Sequence, residues 1–212
     1  MMLNIVCVKQ GEKYGLEYVS RLYFGARRNL RRPFKFWCLT DSPAELWPGI
    51  FKWKINDARL TGWWAKMLLF RPLGNMLRGR VLFFDLDTVI TGNLDPLADY
   101  SGEFCMLRDF YHKTRLGSGI MAFAAGYGRE MWETFSKDPL LFMREFGGDQ
   151  DFIQAQVKTA DCWQDVAPGT CASYKVHCKQ GLPDGAVTVS FHGKPKPDEV
   201  NDAWVRHHWI GV

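Results

Sequence analysis

Four large apolar residues, Val81, Leu82, Phe83 and Phe84, run directly into Asp85-Leu86-Asp87. An apolar run of that length reads as a strand buried on both faces. In a mainly parallel sheet, ligands bind beyond the carboxyl ends of the strands. If the chain stays extended past Phe84, Asp85 and Asp87 project to one side. Two carboxylates so placed suit a hard divalent cation, which prefers oxygen ligands. Such a cation suits a diphosphate, whose oxygens it bridges and neutralises. A second segment, His192-Gly193-Lys194-Pro195-Lys196-Pro197, follows the apolar run 187–191. Its imidazole is the kind of donor that completes a manganese-type site, and Lys194 reaches phosphate as a point charge. In a third, Gly148-Asp149-Gln150-Asp151 opens a helix. Asp149 serves there either as an N-cap or, with Gln150, as a hydrogen-bonding partner for sugar hydroxyls.

These groups need a scaffold, and the apolar pattern supplies one. Short apolar runs at 3–8, 34–39, 51–55, 80–84, 103–107, 120–123 and 187–191 read as strands. Helical spacing is found at 14–29, 63–77, 127–136 and 149–157, with Pro72 expected to bend or end the second of these. Strands alternating with helices imply an α/β sandwich with a mostly parallel sheet. The stretch 162–184 mixes Gly, Pro, Cys and Lys and reads as irregular, a loop over the site. The tail beyond Asp198 begins as a helix. His207, His208 and Trp209 are expected to pack against or flank the core rather than line a cleft.

The 212 residues fit one domain, 1–212, with 47% hydrophobic and 24% charged residues. A net charge of +4 mildly favours anionic ligands. It does not by itself point to nucleic acid. The basic cluster Arg27, Arg28, Arg31, Arg32 ends a helix, where cations suit the macrodipole; the alternative is a peripheral contact with a membrane surface. Six cysteines form no CxxC pair, and Cys162, Cys171, His177 and Cys178 match no zinc spacing. Free thiols imply a reducing compartment. The start MMLNIVCVKQG lacks a basic region before its apolar run, and no run reaches the length of a membrane span. A cytoplasmic protein without a transmembrane segment is expected.

In this order, the segments resemble the family 8 glycosyltransferases and their relatives with the GT-A fold. The resemblance rests on residues 81–90, Gly92-Asn93-Leu94-Asp95-Pro96-Leu97, Ser118-Gly119-Ile120-Met121-Ala122-Phe123, Asp149-Gln150-Asp151 and His192-Gly193-Lys194-Pro195. It implies a GT-A-like, Rossmann-type three-layer α/β/α sandwich. It also implies transfer of a sugar from a nucleotide-diphosphate donor, UDP by family analogy, to a hydroxyl of a glycan, protein or small molecule, with retention. Asp85, Asp87 and His192 would hold Mn2+ or Mg2+. Lys66, Leu86, Ser118, Gly119, Gly193 and Lys194 would contact the donor. Val8, Lys9, Thr40 and Asp41 would lie near its base, and Asp149 and Gln150 would face the reacting sugar. The chain departs from the family in having Gly117 where Asn is usual, and in the shortened spacing after His192.

Two other readings compete. Phe83-Phe84-Asp85-Leu86-Asp87-Thr88-Val89 also resembles the first motif of haloacid-dehalogenase-type phosphatases, with Asp85 as nucleophile and Asp87 as acid/base. That class carries the motif on its first strand; here about 80 residues precede it. The other is a non-catalytic module that binds nucleotide or glycan. If transfer instead inverted the sugar, Asp109, Asp151 or His112 would be needed as a base.

Overall fold

The computed structural model describes residues 2–72 and 77–211. In chain order its strands are β1 (Leu3–Lys9), β2 (Phe34–Thr40), β3 (Ile50–Lys54), β4 (Arg80–Phe84), β5 (Thr88–Ile90), β6 (Phe104–Arg108), β7 (Leu116–Ala124), β8 (Asp161–Cys162), β9 (Cys171–Ser173) and β10 (Thr188–Ser190). Its α-helices are α1 (Leu16–Asn29), α2 (Asp95–Ala98), α3 (Arg129–Lys137), α4 (Pro139–Glu145), α5 (Asp149–Gln156), α6 (Trp163–Val166), α7 (Tyr174–His177) and α8 (Ala203–His208).

Seven strands form the central sheet in the order β3-β2-β1-β4-β7-β6-β8. The pairs β3–β2, β2–β1, β1–β4 and β6–β8 are parallel, and β7 is antiparallel to both neighbours. Side chains alternate between faces along each strand, and β4 shows how both faces are filled. Leu82 and Phe84 join Tyr18, Leu22 and Tyr23 of α1 in one core, whereas Val81 and Phe83 join Trp64, Phe70, Phe135 and Phe152 in the other. Phe83 and Phe84 are both fully buried; each contributes about 1.5–3 kcal/mol by leaving water. Two cores on two faces make the three layers of an α/β/α sandwich.

The segment expected as a helix over 63–77 is a 3-10 run, Gly62–Phe70; residues 73–76 of that span lie outside the described residues. The run stops before Pro72, whose ring disfavours helical geometry in the residue before it. Arg71 is accordingly extended, with ψ 138°.

The stretch 162–184 is not one irregular loop. It carries α6, β9 and α7, and β9 joins a second, three-stranded sheet in the order β5-β10-β9. That sheet matters for the site. β5 leaves the Asp85-Leu86-Asp87 turn and pairs antiparallel with β10, with Ser190 opposite Thr88. The Phe191 N–H then donates to the Asp87 carbonyl at 3.0 Å. His192 and the lysines that follow are thereby fixed beside the acidic turn.

Candidate active site

The chain does not stay extended past Phe84. The Asp85 N–H donates to Gly119 O at 2.8 Å, and the Thr88 N–H donates back to Asp85 O at 3.1 Å. This closes a tight turn. Leu86 is buried in the core while Asp85 and Asp87 face a cleft. The two carboxylates share one side, as expected, by means of a turn rather than a continued strand.

The cleft has a volume of about 530 Å³ and opens at the carboxyl ends of β1 and β4. Among the residues expected at the site, Val8, Lys66, Asp85, Leu86, Asp87, Ser118, Gly119, Asp149, Gln150, His192 and Gly193 all line it. Lys9, Thr40, Asp41 and Lys194 do not. The Lys9 ammonium donates to Gly11 O, and the Thr40 hydroxyl and Asp41 carboxylate accept from Ser42 N–H and Gly11 N–H. These three shape the turns beside the cleft instead of its wall. Lys194 is exposed and pairs with Glu199. Of the candidate bases, Asp109 and Asp151 line the cleft and His112 does not.

Lys66 is the hub of the deep end. Its ammonium lies 3.0 Å from Asp85 Oδ1 and 3.2 Å from Asp149 Oδ2, and donates to the Ser118 hydroxyl at 3.0 Å. Ser118 in turn donates to Asp149 Oδ2 at 2.6 Å. Burial works against the Lys66 charge, but the carboxylates of Asp149 and Asp85 more than offset it and its pKa is raised. Asp85 is pushed up to about 6, first by burial and then by Asp87 and Asp149, with Lys66 pulling the other way. The N-cap role for Asp149 is not realised: Gly148 holds that position with no side-chain cap, and Asp149 is engaged by Lys66 and Ser118.

A second lysine, which no sequence motif had marked, completes the site. Lys196 is buried, and its ammonium donates to Asp87 Oδ2 and to Phe191 O, the latter at 3.0 Å. Its own N–H is held by Glu199 Oε2 at 2.7 Å. Tyr14 donates its hydroxyl to the same Asp87 oxygen at 2.8 Å, with Lys196 over its ring at 5.4 Å. The Tyr14 phenol is raised well above its ordinary range, by burial and then by the Asp87 charge. One signal for Lys196 is present in the sequence. The segment holds two Lys-Pro pairs, and Lys196-Pro197 lies nearer than Lys194-Pro195 to the usual His-x-x-Gly-x-x-Lys-Pro spacing of the family it resembles.

His192 is stacked on Phe110 and meets Tyr111 edge-on. Its Nε2 is 2.6 Å from the Ser173 hydroxyl of β9. Burial first, and Lys175 second, lower its pKa. Lys175 stands over the next residue, since a Cβ placed on Gly193 would lie 2.9 Å from its ammonium.

This donor set does not fit a divalent ion as it stands. Asp85 is paired with Lys66, Asp87 with Lys196 and Tyr14, and His192 Nε2 with Ser173. Among the described residues no three His, Cys, Asp or Glu side chains gather to hold a metal.

Away from the cleft, all six cysteines are free. Trp209 is buried in the core against Tyr18, in keeping with its expected packing role. Among the described residues no helix is long and apolar enough to cross a membrane.

No family model and no curated protein matches the chain by sequence. Solved structures do match it by shape. The glycosyltransferase GlyE of Streptococcus pneumoniae TIGR4 superposes with TM-score 0.69 at 13% identity over 97% of this chain, which spans 59% of the GlyE chain. The galactosyltransferase LgtC, solved with donor and acceptor sugar analogues, gives TM-score 0.64 at 13% identity, covering 92% of this chain and 88% of its own. An active-site mutant of LgtC gives 0.63 at 12%, covering 96% and 93%. At such identities the likeness is one of fold: the chain has the GT-A-like sandwich that its motifs implied.

Proposed function

We propose that the chain is a glycosyltransferase that moves a sugar from a nucleoside-diphosphate donor to a hydroxyl acceptor. The observation that carries this reading is the cleft, where Asp85, Asp87 and Asp149 meet two buried lysines at the strand ends of a fold shared with GlyE and LgtC. UDP is the donor nucleotide favoured by the resemblance. Val8 and Gln10 line the cleft at the end of β1, and in this reading the base lies beside them.

In the reaction the bond between the anomeric carbon and the diphosphate oxygen breaks. The acceptor hydroxyl oxygen bonds to that carbon, and its proton leaves with the departing nucleoside diphosphate. The chain's task is to stabilise charge as it builds on the diphosphate. Lys66 and Lys196 are cations already fixed by carboxylates, so they need little rearrangement when that charge appears. Gln150 lines the cleft beside Asp149, and in this reading it hydrogen-bonds the donor sugar. No step is routed through a divalent ion, because its expected ligands are already paired.

The phosphatase reading is weaker. Its nucleophile belongs on a first strand, whereas Asp85 follows β4 and is paired with Lys66.

A thermal-shift screen against UDP, GDP and CMP sugars tests the proposal, because a ligand that binds the native state raises its melting temperature by mass action. A shift with one nucleotide class, accompanied by slow release of nucleotide from that donor, is the expected outcome. No shift with any of them, together with hydrolysis of phosphomonoesters in Mg2+, would replace it with the phosphatase reading.

A further inference from the structure

Each of the three residues expected to bind a metal ion has a lysine close by. Lys66 lies on Asp85, Lys196 on Asp87, and Lys175 over the His192-Gly193 turn. The Lys196 contact is built into the fold. Its side chain is buried, and Phe191 O and Asp87 Oδ2 both accept from its ammonium. Glu199 pins its backbone, and the Tyr14 ring lies against its charge. Lys196 and Tyr14 both engage Asp87 through Oδ2, so a divalent ion on that carboxylate would either displace them or bind Oδ1 with the Lys196 ammonium on the neighbouring oxygen. With Nε2 held by the Ser173 hydroxyl, His192 would offer such an ion only its Nδ1.

We propose that Lys196 is the resident cation of this site, standing on Asp87 where the fold family places a divalent metal, and that donor binding is therefore independent of divalent ions. Its catalytic half rests on the transferase reading above; its metal half does not. A single ammonium carries half the charge of Mn2+ and cannot bridge two phosphate oxygens by coordination. Lys66, which lines the same cleft between Asp85 and Asp149, and Lys175, whose ammonium stands beside Gly193, are the other cations at hand. The three lysines bind phosphate as point charges, and Asp87 serves to hold Lys196 in place.

The test uses the full chain with two probes, Mn2+ and UDP. Electron paramagnetic resonance of free Mn2+ reads metal uptake directly, with or without nucleotide. Calorimetric titration with UDP is run in EDTA and again in Mn2+. The expected result is a free-Mn2+ signal unchanged by the wild-type protein, and UDP affinities in the two buffers that agree within about twofold. Lys196→Met, which keeps the apolar stem, should weaken UDP binding in EDTA by about tenfold or more. Stoichiometric Mn2+ uptake by the wild type, UDP affinity about tenfold higher in Mn2+ than in EDTA, or undiminished UDP affinity in Lys196→Met would each overturn it. If Lys196→Met does not fold, the two wild-type measurements still decide. Wild type that binds neither UDP nor Mn2+ counts against the transferase reading while leaving the metal-free assignment standing.

Discussion

Replacing Lys66 with methionine should be among the most damaging single changes in this chain. The side chain is close in length and apolar, so the buried volume is largely kept, while the ammonium's contact with the Phe83 ring goes with the charge. What is lost is the cation between Asp85 and Asp149. The Lys66 and Asp149 side chains are 7% and 6% exposed and 3.2 Å apart. At an effective dielectric near 20, two unit charges at that separation attract by about 5 kcal/mol. Desolvation of the lysine offsets part of this. Removing one member of a buried pair, which strands the other, costs about 3–5 kcal/mol. For a chain of this size that is a melting-temperature loss of roughly 6–20 °C. Urea denaturation of the wild type, Lys66→Met, Asp149→Asn and the double variant measures it. The double variant no longer strands Asp149, so it should recover at least about 1 kcal/mol relative to the sum of the single changes. A Lys66→Met cost below about 1 kcal/mol, or strict additivity, would show that the Lys66–Asp149 pair does not organise the site.

Tyr14→Phe removes one hydrogen bond to the Asp87 carboxylate and should destabilise by about 1.5 kcal/mol or more, read by the same denaturation assay. Asp85 holds its proton to about pH 6 in the fold, against an ordinary value of 3.8. Stability should therefore fall as pH rises between those values, because the folded state is then the one binding more protons. The melting-temperature difference between wild type and Asp85→Asn should drop over that window and be flat above it; a rising difference would contradict the assignment. Gly79→Ala should cost about 2 kcal/mol or more, because φ is +91° and the new Cβ would lie 2.1 Å from Met2 O, a backbone atom that has little room to move. Gln150→Ala should lower the transfer rate more than it raises the KM for donor, measured by initial rates; a pure KM effect would remove Gln150 from the reacting face.

The middle of the molecule is legible in the sequence for a simple reason. β1, β2 and β4 are buried apolar runs, and Val81–Phe84 ends in two aspartates that a solvated turn alone would not require. Helix α1 runs close to its expected span because one face is apolar and the other charged. The Gly62–Phe70 run departs from the expected helix because Trp64 through Phe70 are all buried, leaving no polar face to mark a period. The second sheet is hidden for a related reason. Its strand β10 does show, as the apolar run 187–191, but β5 and β9 have three residues each, all buried, too few to show alternation. Without that sheet, only the second Lys-Pro pair points to Lys196, and it does not show that the side chain is drawn inward. A lysine among prolines reads as solvated, and its burial depends on Asp87, a partner 109 residues away in the chain.

That separation also bears on how the protein is made. The parallel core β3-β2-β1-β4 comes from the first 84 residues and can begin to form early in synthesis. Asp87 follows it out of the ribosome at once, but its counter-ion is translated 109 residues later. Lys66 precedes Asp85 and can pair with it at once, but until β10 docks on β5 Asp87 lies without its lysine, and water solvates it. Contacts of such long range are slow to close. Assembly of the cleft thus waits on a contact between segments 109 residues apart, and the site is complete only once β10 lies on β5.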